Sequence, residues 1–122
     1  MDIMNRIKLL YESGFSTRED YEDLCKIVSI CKDEYHIPLT EENGGIMMTH
    51  IAAAFHRNRT GEEISPLDID LWSEVEGSPQ FELASSLVER METEITNEIS
   101  GNERKFFFLH ICTLLATCAD GS

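Results

Sequence analysis

Two of the four histidines are candidate reactive groups, because each lies in a segment of helical periodicity beside small or apolar residues. His50 is followed one turn later by two alanines, which leave room above its imidazole ring, and Arg57 follows on the same helical face. His110 has Glu103 seven residues earlier on its own face. A neutral imidazole is a nucleophile, a proton carrier or a metal ligand near pH 7. Packed, unreactive histidines are the plain alternative.

The other histidines and the cysteines suggest less chemistry. His36 precedes Ile37-Pro38 near a helix end, where capping is expected, and His56 points to a different side of its helix from His50 and is expected at the surface. The cysteines are expected to be buried thiols in a reducing compartment, although four thiols from two helices could still bind zinc. They are Cys25, Cys31, Cys112 and Cys118. The sequence contains no C-x-x-C, glycine-rich phosphate loop, H-E-x-x-H or EF-hand pattern, so we expect neither a metal nor a cofactor.

The charge balance excludes several classes of partner. Asp and Glu total 23 against 10 Lys and Arg, which gives a net charge of -13. This charge opposes binding to nucleic acid and to anionic membranes. No apolar run approaches the roughly 20 residues that span a bilayer, and the first residues lack a basic start and an apolar signal core. We therefore expect a cytoplasmic protein with a single domain over residues 1–122.

The elements that must position the histidines are all predicted to be helices. Proline and glycine divide the chain into helix-sized segments with apolar residues at intervals of three and four. The predicted helices span residues 2–13, about 17 to 36 after a Ser16-Thr17 cap, 41–59, 69–75, 79–99 and 103–118. The last is apolar nearly all round from Phe106 to Leu115, which predicts a central or interface-lining position. The expected fold is an all-α bundle of five to six helices.

Two segments of the chain resemble the signatures of the PTS regulation domain, or PRD. Residues 49–62 begin with Thr-His-Ile and carry Arg57 seven residues after His50. Residues 103–111 begin with Glu103, continue through an apolar run and reach His110. The two histidines are 60 residues apart, about the separation that the family uses. This chain departs from many antiterminator copies in having Thr49 where they carry Asp.

The resemblance implies a compact five-helix regulatory domain and not an enzyme. In the family, such histidines accept phosphate from the phosphocarrier protein HPr or from an enzyme II B component of the sugar phosphotransferase system. Carried over to this chain, the acceptors are His50 and His110, and the supporting residues are Arg57, Glu103 and Thr49. We expect His50 to be the better acceptor, because the imidazole of His110 lies among large apolar neighbours. Substitution of Arg57 is expected to leave folding intact.

The resemblance also implies how the signal is passed on. Family modules are homodimers with their phosphorylation sites at or near the interface, and they control transcription or antitermination through protein–protein contacts. The apolar last helix independently favours a homodimer. A transcription regulator is then an expected partner, with no direct contact to nucleic acid or membrane. Two alternatives stay open: a helical metal-binding or enzymatic protein that uses His50 and His110 with nearby Glu or Cys, and a dimerisation module that is never phosphorylated.

Overall fold

The computed structural model describes the backbone of residues 2–120 and the side chains of residues 2–118. Six helices account for the secondary structure, and no strand occurs within residues 2–120. They are α1 (Ile3–Glu12), α2 (Arg18–Glu34), α3 (Glu41–Thr60), α4 (Ile69–Glu76), α5 (Phe81–Glu94) and α6 (Gly101–Asp120). The all-α prediction is confirmed. No helix in the described part of the chain is long and apolar enough to cross a membrane.

The helix starts are fixed by short polar side chains. Thr17 and Asp20 form a capping box at the start of α2, in which each side chain bonds the backbone N–H of the other residue. Thr40 and Asn43 do the same at the start of α3. Both boxes satisfy amide groups that the first helical turn leaves without partners, and the acidic residues that follow favour the positive end of the helix dipole. The polar segment before α3 therefore determines where the His50-bearing helix begins.

Helix α6 packs against three other helices, α3, α4 and α5. Its large apolar side chains are buried in the chain's own core: Phe107, Phe108, Ile111, Leu114 and Leu115. One face of the last helix is thus buried in the bundle, whereas Lys105, Thr113 and Thr117 are exposed. This burial also means that most of the apolar surface from which a dimer was inferred is already covered within one chain.

Helix α5 ends at Glu94, five residues earlier than its sequence pattern predicts. The buried carboxylate of Asp23 on α2 explains the difference. It accepts hydrogen bonds from the backbone N–H groups of Thr96 at 2.8 Å and Asn97 at 2.9 Å. These amides would otherwise continue the helix, so the chain turns at Ile95, whose backbone is extended, and leads into α6.

The glycine pair in α3 has a local cause. The helix already begins at Glu41, and both glycines lie inside it. A Cβ atom on Gly45 would come within 3.0 Å of the Glu41 carboxylate, which Arg6 of α1 binds through its Nε at 2.7 Å. Gly44 similarly makes room for the side chain of Leu39. The pair therefore marks neither the helix start nor the approach of another backbone, but close packing of side chains.

Candidate functional site

The two candidate histidines lie in direct contact across the α3–α6 interface. The ring centroids of His50 and His110 are 4.7 Å apart, and the rings are tilted by 31°. Seven residues further along α3, Arg57 meets Glu103, which lies seven residues before His110 on α6. The two helices therefore run antiparallel, and the two contacts form neighbouring rungs along their interface.

Arg57 and Glu103 form a bidentate ion pair. The Nε atom of Arg57 donates to Oε1 of Glu103 at 2.9 Å, and Nη2 donates to Oε2 at 3.0 Å. The Arg57 side chain is 23% exposed and that of Glu103 is 10% exposed. A guanidinium has five N–H donors, and within the described residues Nη1 of Arg57 contacts no acceptor. Arg57 therefore has N–H groups left to donate to a second anion, which would share the guanidinium charge with Glu103.

All four of these side chains line one cavity of about 280 Å³. We call it the histidine cleft; its remaining lining residues are apolar, namely Ile51, Ile64, Phe106, Phe107 and Leu109. Ile64 comes from the segment between α3 and α4. A second cavity of about 490 Å³ adjoins the cleft and shares Ile64, Arg57 and Glu103 with it. The ion pair thus lies where the two cavities meet.

The two imidazoles differ in their environments. His50 is exposed, whereas His110 is half-buried. Burial lowers the pKa of His110 below its ordinary value, and the neighbouring His50 lowers it further. A lowered pKa keeps an imidazole neutral near pH 7, and the neutral ring is the form that has a free nitrogen lone pair. The pair therefore combines an accessible ring with a neutral, more enclosed one.

The remaining predicted residues lie outside the cleft. The hydroxyl of Thr49 accepts a hydrogen bond from Nη1 of Arg6 at 3.0 Å and donates to the backbone oxygen of Gly45 at 3.0 Å. Thr49 therefore serves the contact between α1 and α3, because one residue along a helix turns the side chain by about 100°. The structure gives it no place beside the imidazoles.

The two other histidines are also away from the cleft. His56 is partly buried and not at the surface as expected. Its ring stacks on that of Phe15 with the centroids 4.7 Å apart, and its Nδ1 atom is buried without a hydrogen-bond partner among the described residues. His36 lies just beyond the end of α2 with a left-handed backbone, φ 56°. Its exposed ring at that position agrees with the predicted location near a helix end.

The cysteines remain free thiols. Cys31 and Cys112 are buried, and Cys25 and Cys118 are partly buried. Burial raises the pKa of the Cys31 thiol to about 12, which makes it an unreactive core group. Among the side chains that the structure describes, no three of His, Cys, Asp or Glu are grouped closely enough to hold a metal ion.

A buried acidic cluster was not predicted as a unit. Asp20 and Asp23 are both almost fully buried, and the side-chain amide of Asn97 donates to both, at 3.0 and 2.7 Å. Arg59 near the end of α3 pairs with Asp20. In the sequence, Asp20 is typical of a helix start, whereas Asp23 lies beyond the first turn of α2. A signal that could have marked Asp23 is its position directly beside the apolar stripe of α2.

Comparison with known proteins identifies the family. The PRD domain family model matches residues 25–113, a span that contains both rungs of the histidine cleft. The chain belongs to the PRD domain family. It is also 30% identical over 106 residues to the uncharacterized protein YhfY of Escherichia coli strain K12, covering 87% of this chain and 88% of YhfY. No solved structure matches the chain significantly. This PRD domain is accordingly a regulatory domain of the type linked to the phosphotransferase system.

Proposed function

We propose that this PRD domain senses the state of the sugar phosphotransferase system through histidine phosphorylation in its histidine cleft. The donor is phospho-HPr or a phosphorylated enzyme II B component, and His50 is the first acceptor. The domain then acts on a regulator of transcription or antitermination through protein–protein contacts. The observation that carries the proposal is the contact between His50 and His110 in the same cleft as the Arg57–Glu103 pair.

The chemistry requires only an accessible neutral imidazole. The lone pair of a His50 ring nitrogen forms a bond to phosphorus while the phosphorus–nitrogen bond of the donor phosphohistidine breaks. The donor imidazole keeps that electron pair and takes up a proton, and the His50 ring releases one. The exposure of His50 supports its role as acceptor, because the donor is itself a folded protein that must approach the ring.

Arg57 supports the proposal as a counter-ion for the new charge. Phosphorylation adds about -1.5 to -2 charges to a chain whose net charge is already -13. Arg57 lies about 10 Å along the α3 axis from His50, with its guanidinium at the cleft. A phosphoryl group on His50 would therefore compete with Glu103 for Arg57. This competition links phosphorylation to the contact between α3 and α6.

Exposed apolar groups around the cleft support a homodimer. Ile46 lies one turn before His50 and is 74% exposed, and Phe106 and Leu109 are only partly covered. A second copy packed over these side chains would bury them together with the phosphorylation site. The added charge would then change the packing between the two subunits.

The test is incubation of the purified chain with enzyme I, HPr and phosphoenolpyruvate, followed by intact mass spectrometry at neutral pH. We expect one acid-labile phosphoryl group, which His50→Ala removes and the exposed-site control His36→Asn leaves in place. His50→Asp should partly imitate the modified form. Absence of label from both HPr and an enzyme II B component would contradict the proposal. Metal analysis of the same sample tests the metal-binding alternative.

A further inference from the structure

The imidazole pair has unused hydrogen-bonding capacity. Within the described part of the chain, neither His50 nor His110 is hydrogen-bonded through its ring to another residue. The two rings instead contact each other, with centroids 4.7 Å apart. A group attached to the nitrogen of one ring that faces the other therefore lies close beside that other ring.

The cleft has few other groups that could hold an anion. Its charged lining residues are Arg57 and Glu103, which are paired with each other. Two further cations of α6 are engaged elsewhere: Arg104 binds Glu92 at 3.0 Å, and the Nζ atom of Lys105 lies 5.3 Å from the centre of the Trp72 ring. A phosphoryl group on His50 therefore meets one cation that is already shared, and one imidazole.

From this geometry we infer that His110 is a positioning residue for a phosphoryl group on His50. The unmodified ring of His110 donates a hydrogen bond to a phosphoryl oxygen, and the cleft consequently carries one phosphoryl group at a time. This inference rests on the proposed function, because it describes how the same site holds its modification. It makes the two histidines a functional unit with unequal roles, an acceptor and a donor of a hydrogen bond.

Charge explains why the two roles exclude each other. A phosphoryl dianion beside His110 favours the protonated ring, which reverses the effect of burial and of the neighbouring imidazole. A protonated ring has no lone pair with which to attack a second donor. A second dianion at this distance would also repel the first, with Arg57 as the cation of the cleft lining, and Glu103 adds a further negative charge.

The test measures both the number of phosphoryl groups and the titration of His110. In one reaction, phospho-HPr phosphorylates the full chain. In a second reaction, phosphoramidate acts as a chemical donor that needs no protein recognition, and the His36→Asn variant is used so that this exposed histidine is not labelled. Imidazole NMR signals then report the protonation of His110 before and after labelling. We expect a single phosphoryl group on His50 and an increase of about tenfold or more in the proton affinity of His110.

Variants separate a positioning role from a merely structural one. His110→Leu should lower the equilibrium constant for transfer from phospho-HPr about tenfold, because it removes a charge-assisted hydrogen bond. His110→Gln keeps an N–H donor and should restore most of the transfer. A second phosphoryl group on His110, a label on His110 alone, or an unchanged titration of His110 overturns the inference. If phospho-HPr and the II B component fail while phosphoramidate labels His50, the proposed function fails and the inference is still decided by the titration.

Discussion

The ion pair between Arg57 and Glu103 offers the sharpest test of the structure. Replacement of Arg57 by Met keeps much of its aliphatic length but leaves the Glu103 carboxylate, 10% exposed, without its bidentate partner. We therefore expect Arg57→Met to destabilise the fold, in contrast to the sequence-based expectation that substitution of Arg57 leaves folding intact. The reason is that an uncompensated carboxylate in a nearly buried position loses more solvation than a surface one.

The magnitude follows from the burial of the two partners. Removal of one member of a fully buried pair costs about 3 to 5 kcal/mol, and an exposed pair contributes about 0 to 1 kcal/mol. With one side chain 23% and the other 10% exposed, we expect Arg57→Met to lower the free energy of unfolding by about 2 to 3 kcal/mol. Glu103→Met should cost about 1 kcal/mol less, because the remaining guanidinium reaches water more easily.

The assay is a double-mutant cycle in urea, with thermal unfolding as a second measurement. The double variant should be more stable than Arg57→Met alone, since neither charge is then left unpaired, and the coupling energy should be about 2 kcal/mol. The midpoint of thermal unfolding should fall by roughly 10 °C in Arg57→Met. Arg18→Met is the matched control, because Arg18 and Glu22 form a pair whose side chains are 80% and 54% exposed.

The reasoning is refuted if the coupling energy is below about 0.5 kcal/mol, which is the range of exposed pairs. It is also refuted if Arg57→Met and Arg18→Met lower the stability equally. Either result would mean that the Arg57–Glu103 contact is open to solvent and does not hold the two helices together at the cleft.

Three further predictions concern other parts of the molecule. The pKa of His110 is lower in the folded protein than in the unfolded chain, so the unfolded chain binds the proton first as the pH falls. The free energy of unfolding should therefore decrease below about pH 6.5. Urea titrations should show a smaller decrease for His110→Gln. Asp23→Ala should lower stability by about 3 kcal/mol or more, because two backbone amides of the α5–α6 segment lose their acceptor, whereas the exposed Asp33→Ala should change it little. Light scattering should show that Ile46→Glu weakens a homodimer and that Ile69→Glu, on exposed α4, does not; a wild-type monomer at high concentration would contradict the dimer.

Much of the fold follows from local sequence patterns. The Thr17 cap and the early acids of α2 predict its start, because capping depends only on residues within one turn. The seven-residue spacings also predict that His50 shares a face with Arg57, and His110 with Glu103. These are statements about single helices, and helical geometry is sufficient to make them.

Contacts between helices could not be read from the same patterns. The spacing does not reveal that Arg57 binds Glu103, because that contact depends on the direction and register of α6 against α3. The early end of α5 depends on Asp23, more than 70 residues away in the chain. The stacking of the His56 ring on Phe15 likewise depends on how the segment after α1 packs against α3. In each case the deciding partner is distant in sequence.

The equal spacing of the two rungs has a consequence for insertions and deletions. His50 and Arg57 are separated by seven residues, as are Glu103 and His110 on the antiparallel helix, so both contacts require the same register. One residue inserted between 50 and 57 would rotate Arg57 by about 100° away from Glu103 while His50 still meets His110. A deletion between 103 and 110 would have the corresponding effect on Glu103. The two seven-residue spacings therefore act as one coupled unit. A length change of one residue in either of them would leave only one of the two contacts, the imidazole pair or the ion pair, even where both helices still form.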